Sequence, residues 1–485
     1  MSRIKWERFK FYVLVALILI SLVQVGILWD YQNHGFPYYF FGGFLKNKES
    51  FNTVSDRSEF FSPYRIIISD GYDEVHGVIE KDDSMFAKLF GDMKLYLVDI
   101  LRLERIKSRQ AQPLTEDVLG NLASKPSVTF EFKTDISKRL LAYFLDIKDV
   151  SNDEMANIKK IIILPEADAN SNCTIEIVDD VDQKIFEYVL PFQNTGREKE
   201  YYVNLIDTLS KNPDLMSYKI FNELHIPKEK LKGIQIGEDV LFVARHLNKY
   251  KKYDTIDAYP PEEFEIKNNS NPKELMDLAD TILLNETDIY IPSIDIYGAA
   301  VFKNPDSVYR VYKDGLLEYN YSSPAQEEIE KGDISEAFTR TLNFINSKRR
   351  LVTGAELYLS GVRETKDRYI FTFDYSVDEI PVFFNYQAED KEKKLLKNAV
   401  TIEAAGERIL NCWWIFKDFV RKHENEYNVY FEVLLNDLYT ERNLSIKNIG
   451  VCYKVTRTNS QDIEPAWLIE PADNTDPYTV NMRKR

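Results

Sequence analysis

The longest apolar run in the chain, Phe11 to Trp29, is broken only by Ser21, Gln24 and Gly26. At helical rise it spans roughly 28 Å, about the hydrocarbon thickness of a bilayer, so it predicts a transmembrane helix over residues 11–29. Arg3, Lys5, Arg8 and Lys10 precede it, opposed only by Glu7, and Asp30 follows with no nearby cluster of positive charge. That asymmetry predicts a cytoplasmic tail over residues 1–10 and an extracytoplasmic body beyond the span. Trp6 and Trp29 stand at the two headgroup levels. A cleaved signal peptide needs a shorter apolar core and a small-x-small site, and Ile27-Leu28-Trp29-Asp30-Tyr31 offers neither. The expectation is an uncleaved, single-pass anchor in the cell membrane.

Residues 30–62, with Gly35, Pro37, Gly42 and Gly43, read as an irregular spacer. Shorter patterns then take over. Tyr64 to Ser69 is a β-branched run ended by the turn signal Asp70-Gly71. Met85, Phe86, Leu89, Met93, Tyr96, Leu97 and Ile100 recur at spacings of three and four, predicting a helix over Ser84 to Leu103. Val128 to Phe132 alternates as a strand, and Ile136 to Leu145 reads as a short helix. Ile161 to Leu164, Thr174 to Val178 and Ile185 to Leu190 are further strands, and Asn204 to Leu209 and Lys228 to Leu231 read as helical. Strands and helices mix without the regular alternation of a parallel sheet, so residues 63–250 are expected to form a first α+β domain.

Tyr259-Pro260-Pro261 and the polar stretch Lys267 to Asn271 mark a change of texture. Pro272 opens a helix at its first position, with Leu275, Met276, Leu278, Ala279, Ile282 and Leu283 as its stripe. Strands follow at Val301-Phe302 and Tyr309 to Tyr312, and Asp314-Gly315 turns the chain into Leu316 to Tyr321. Asp333 and Glu336 then have the spacing of a capping box, ahead of a helical face of Ile334, Phe338, Leu342 and Ile345. Glu356 to Leu359, Tyr369 to Tyr375, Ile380 to Phe384, Val400 to Ala404 and Ile409 to Phe416 read as a meander. A second helix is expected over Val429 to Tyr439, and closing strands over Ile449 to Val455, Ala466 to Ile469 and Tyr478 to Asn481. The expected body is therefore α+β in three domains. The last two, 251–335 and 336–485, share the order of a helix followed by antiparallel strands.

Apolar residues make up 44% of the chain, and 30 Tyr and 29 Phe are enough to fill packed cores. The net charge of −16 excludes binding of nucleic acid by counterion release. Lys249 to Lys252 is a small basic cluster, read as a solvated linker. Cys173, Cys412 and Cys452 are too few and scattered for a disulfide framework or zinc site. Cys412 and Cys452 either pair or lie buried as free thiols. Hydrolase, P-loop, zincin and dinucleotide signatures are absent. His423-Glu424-Asn425-Glu426 lacks a zincin's second histidine and reads as a solvated polar segment. Asp179-Asp180-Val181-Asp182 lacks a calcium loop's glycine and reads as a turn. No catalytic, metal or cofactor residues emerge.

Four stretches carry a resemblance to a known family. They are Tyr64 to Gly71; Lys313-Asp314-Gly315 running into Glu318 to Pro324; Arg368 to Phe384 followed by Val400 to Glu403; and Leu434 to Leu444 with Ile449 to Tyr453 and Pro465 to Ile469. In this order they resemble the YycH family, membrane-anchored regulators of the WalK sensor histidine kinase in low-GC Gram-positive bacteria. The last third also resembles the sister family YycI. The resemblance implies a non-enzymatic regulator without cofactors, acting on a WalK-like kinase through helix contacts in the membrane, beside a YycI-like membrane partner. The span's contact face would be Ala16, Leu17, Ile20, Ser21, Gln24, Gly26 and Leu28, because a primary amide in hydrocarbon seeks a partner on another helix. A tethered extracytoplasmic module that binds a ligand or cell-wall fragment is the alternative, with Trp413, Trp414 and Trp467 as lining residues or, instead, as core.

Overall fold

The computed structural model describes residue 57 and residues 60–485, apart from 72–75, 82, 166–171, 193–198, 211–216, 228–230, 232, 244–249, 267–271, 284–289, 323–328, 388–394, 407, 439–443, 458–459 and 473–475. The expected tail, span and contact face lie outside these residues, as does most of the spacer. Among the described residues no helix is long and apolar enough to cross a membrane.

The first β-branched run becomes a central strand. Arg65–Ser69 buries Ile66 and Ile68 completely and pairs antiparallel with His76–Ile79 on one side and Ser127–Ser137 on the other. It belongs to a nine-stranded sheet in the order 241–243, 217–220, 76–79, 65–69, 127–137, 157–164, 172–179, 184–191, 108–113. The edge strand Ser108–Pro113 is exposed at every position, so no apolar alternation announces it.

The Ser84–Arg102 helix follows its expected stripe, with Phe86, Leu89, Met93, Tyr96, Leu97 and Ile100 buried. Asp83 caps it by accepting from the N–H of Met85, and Leu103 ends it in the left-handed region at φ 53°. Lys138–Phe144 starts later than expected: Ile136 and Ser137 still belong to the preceding strand, and the Ser137 hydroxyl caps the helix. Asp179 makes the expected turn, its Oδ1 accepting from the N–H groups of Val181 at 3.1 Å and Asp182 at 2.9 Å.

A 14-stranded sheet gathers most of the later strands, and strands on both sides of residue 335 share it, because Leu316–Tyr321 pairs with Arg408–Ile415. The hairpin from Ser307–Val311 to Leu316–Tyr321 turns at Gly315, φ +93°, where an added Cβ would stand 2.2 Å from the Phe416 carbonyl oxygen. Ile334–Lys348 begins with the expected capping box of Asp333 and Glu336. In the Pro272–Ile282 helix Leu275, Leu278, Ala279 and Ile282 are buried, but Met276 turns to solvent, so the apolar stripe is narrower than expected. The closing strands also depart from an antiparallel meander: Ile380–Gln387 and Gln235–Ile236 both run parallel to Ser445–Thr456.

Two stretches read as solvated, Lys249 to Lys252 and His423 to Glu426, prove to be facing arms of one ribbon. Tyr250–Tyr259 pairs with Asp418–Asn428 over nearly its full length. The ribbon's inner side buries Tyr253, Ile256, Ala258, Phe419 and Tyr427, and its exposed side carries opposite charges, as between Lys252 and Glu424 at 2.7 Å. Lys251 reaches to Glu80 of the first sheet at 3.4 Å. Lys249 lies outside the described residues.

Candidate functional site

Register across three adjacent strands of the first sheet lines up a charged row. Arg65 stands opposite Glu131, and Glu131 opposite Lys160. The Arg65 Nε donates to Glu131 Oε2 at 2.7 Å, and the Tyr64 hydroxyl donates to the same oxygen at 2.9 Å. The Lys160 ammonium lies 3.2 Å from Glu131 Oε1 and donates to Asp239 at 2.5 Å. Burial alone would raise the Glu131 carboxyl, but Arg65 and Lys160 overcome it and hold the group well below the usual carboxylate range. Two residues further along the strand, Lys133 Nζ sits 4.2 Å from the centroid of the Tyr64 ring, and the Arg65 guanidinium sits 4.8 Å from the same ring.

Tyr64, Arg65 and Lys133 line one side of a cleft of about 380 Å³. The facing wall comes from the ribbon, the hairpin tip at Asp378–Glu379, and the strands carrying Tyr358, Tyr453 and Trp467. The Tyr453 hydroxyl donates to the Asp254 carbonyl at 2.8 Å and ties a closing strand to the ribbon. The hairpin tip is strained. Asp378 and Glu379 have φ 48° and 65°, the two-residue turn that Asn-Gly normally fills. An ion pair from Asp378 to Arg421 holds it. Burial pushes the Tyr64, Tyr218, Tyr253 and Tyr358 hydroxyls upward, so they present protons rather than charge. Aromatic walls, fixed hydroxyl donors and an ammonium are a recognition chemistry.

Of the three tryptophans singled out in the sequence, Trp414 is core: it is fully buried, donates to the Tyr375 hydroxyl at 2.7 Å and stacks on Phe416 at 4.5 Å. Trp413 is half-buried against the same core, and Trp467 is half-buried against the core of the closing strands while also lining the cleft. Cys173, Cys412 and Cys452 are free and buried, and burial pushes the thiols of Cys173 and Cys452 up to about 12. Among the described residues no group of three or more His, Cys, Asp or Glu side chains is placed to hold a metal ion. The cleft itself was not read from the sequence. Its residues run from Phe60 to Trp467, and no local motif marks them.

No family model matches the sequence, and no curated protein matches it. Among solved structures the chain is similar to the crystal structure of YycH from Bacillus subtilis, with a TM-score of 0.55 and 14% identity, covering 87% of this chain and 96% of that one. The mixed α+β fold described above is therefore YycH-like.

Proposed function

We propose that this chain is a membrane-anchored, non-enzymatic regulator of a WalK-like sensor histidine kinase, assembled outside the cell with a YycI-like membrane partner. The observation that carries this reading is the YycH-like fold over 87% of the chain, preceded in sequence by an apolar run of bilayer length with its basic flank at the N-terminal side. In this reading residues 11–29 cross the membrane and residues 336–485 carry the YycI-like portion. The span's contact face is Ala16, Leu17, Ile20, Ser21, Gln24, Gly26 and Leu28.

A regulator shifts its target only by binding one state more tightly than the other. Across a bilayer Gln24 offers such a contact, worth roughly 0.6–2 kcal/mol when its amide finds a partner. Replacing Gln24 with Leu leaves the span at least as apolar, so insertion is expected to persist while kinase-dependent reporter output in cells changes. Unaltered output at equal protein level would remove Gln24 from the contact face.

The aromatic cleft favours a second reading, an extracytoplasmic ligand-binding module for which the span is a tether. Deleting residues 1–29 separates the two: retained activity supports the module, and lost activity supports action through the membrane.

A further inference from the structure

The cleft between the first sheet and the ribbon contains a set of groups that folding leaves unused. Lys133 projects into it, and no carboxylate of the described residues lies within ion-pairing distance of its ammonium. The cleft's own carboxylates, on Glu80, Asp254, Glu356, Asp378, Glu379 and Glu424, make no ion pair with Lys133, and two acids behind the lining are engaged elsewhere. Glu131 is taken by Arg65, Tyr64 and Lys160, and Asp374 accepts from Asn398 Nδ2 and the Ala399 N–H, both at 2.9 Å. Lys251, the next cation along the wall, is spent on Glu80. On the cleft's walls the rings of Tyr218, Tyr358 and Trp467 carry no stacked ring and no cation among the described residues. A half-buried ammonium without an ion-pair partner and aromatic rings without a stacked ring share a volume of about 380 Å³, within the range of small-molecule sites.

We propose that this cleft binds an organic anion carried on a ring, a carboxylate on a sugar or an arene, with the carboxylate at Lys133 Nζ and the ring against Tyr358 and Trp467. The charge complementarity is local to Lys133, since carboxylates also line the cleft. A cationic ligand would have to displace Lys133 from the Tyr64 face, and a neutral one would leave the ammonium uncompensated as the cleft loses water. The strained Asp378–Glu379 tip closes the far side, consistent with backbone strain being kept where a ligand is clamped.

The test is calorimetric titration of the full-length chain in detergent with two matched pairs, glucuronate against glucose and benzoate against benzamide. At least one carboxylate is expected to bind saturably, about tenfold more tightly than its neutral counterpart; which pair responds distinguishes a sugar from an arene body. Lys133→Gln should erase that preference and Lys133→Arg should keep it. The assignment is overturned if neither carboxylate saturates, if a neutral counterpart binds as well, or if the preference survives in Lys133→Gln or is lost in Lys133→Arg. Kinase output plays no part in this measurement, so its failure leaves the regulatory reading untouched, and the converse holds.

Discussion

Replacing Glu176 with Gln should stabilise the protein, and by an amount that grows with pH. Glu176 stands directly opposite Glu187 on the neighbouring strand. It is 3% exposed, on a face it shares with Ile162, Val178 and Ile185 beneath the Glu116–Ala123 helix. With both carboxyls ionised, its buried Oε2 has no donor; with one proton between them, the pair can hydrogen-bond. Burial first, and then the Glu187 charge, push the Glu176 carboxyl up to about 7 from its ordinary 4.5. The folded state therefore holds this proton more tightly than the unfolded chain. Below the ordinary value both states are protonated and there is no penalty. As pH rises through this window the unfolded state ionises first, and stability falls until the folded-state value is passed. Above it the full cost is about 3 kcal/mol, with the opposing attraction of Lys125 already included. Glutamine cannot ionise and its amide can donate to Glu187, so the difference between variant and parent should be close to zero at about pH 4 and about 2–3 kcal/mol at about pH 8. Urea unfolding of the purified chain, followed by circular dichroism at several pH values, measures it. A pH-independent difference, or a variant less stable than its parent at alkaline pH, would refute the reasoning.

Three further perturbations test the fold around the cleft. Glu379→Gly should stabilise by about 1 kcal/mol in the same unfolding assay, since glycine accepts the left-handed conformation that Glu379 is held in at φ 65°; a loss would show that the Glu379 side chain contributes more than its strain costs. Gly315→Ala should cost at least about 2 kcal/mol, because the new methyl must displace the Phe416 carbonyl from a φ +93° turn; a neutral result would mean that the hairpin shifts freely. Glu131→Ala should cost about 3–5 kcal/mol by leaving Arg65 and Lys160 buried without their shared carboxylate. The depressed Glu131 group contributes its full stability above its ordinary pKa, and this is lost progressively as pH falls from there toward its much lower folded value; a parent-minus-variant difference that does not shrink over that window would show that the row is solvated.

Much of the fold was legible because its elements bury one face. The 84–102 helix, the strands 65–69 and 369–377 and the capping box at Asp333 all follow from apolar spacing and end chemistry. The illegible parts are held by other means. Ser108–Pro113 is an exposed edge with only backbone pairing to signal it, and the 250–259 and 418–428 ribbon carries charged residues on its exposed side, so both look polar in one dimension. Parallel pairing of 380–387 with 445–456 joins segments that no local turn connects. The cleft escaped for a related reason. Lys133 looks like an ordinary polar position of an alternating strand, and only the third dimension shows that Glu131, two residues away, is already committed to Arg65.

The central claim, that regulation passes through the membrane span, is tested most directly by exchanging residues 11–29 for an unrelated single-pass anchor and reading kinase-dependent reporter output in cells at equal protein level. The account predicts that regulation is lost while the body outside remains folded, as judged by protease resistance of the exchanged chain. Unchanged output from the exchanged chain would contradict it and move the functional contacts to the body beyond residue 29.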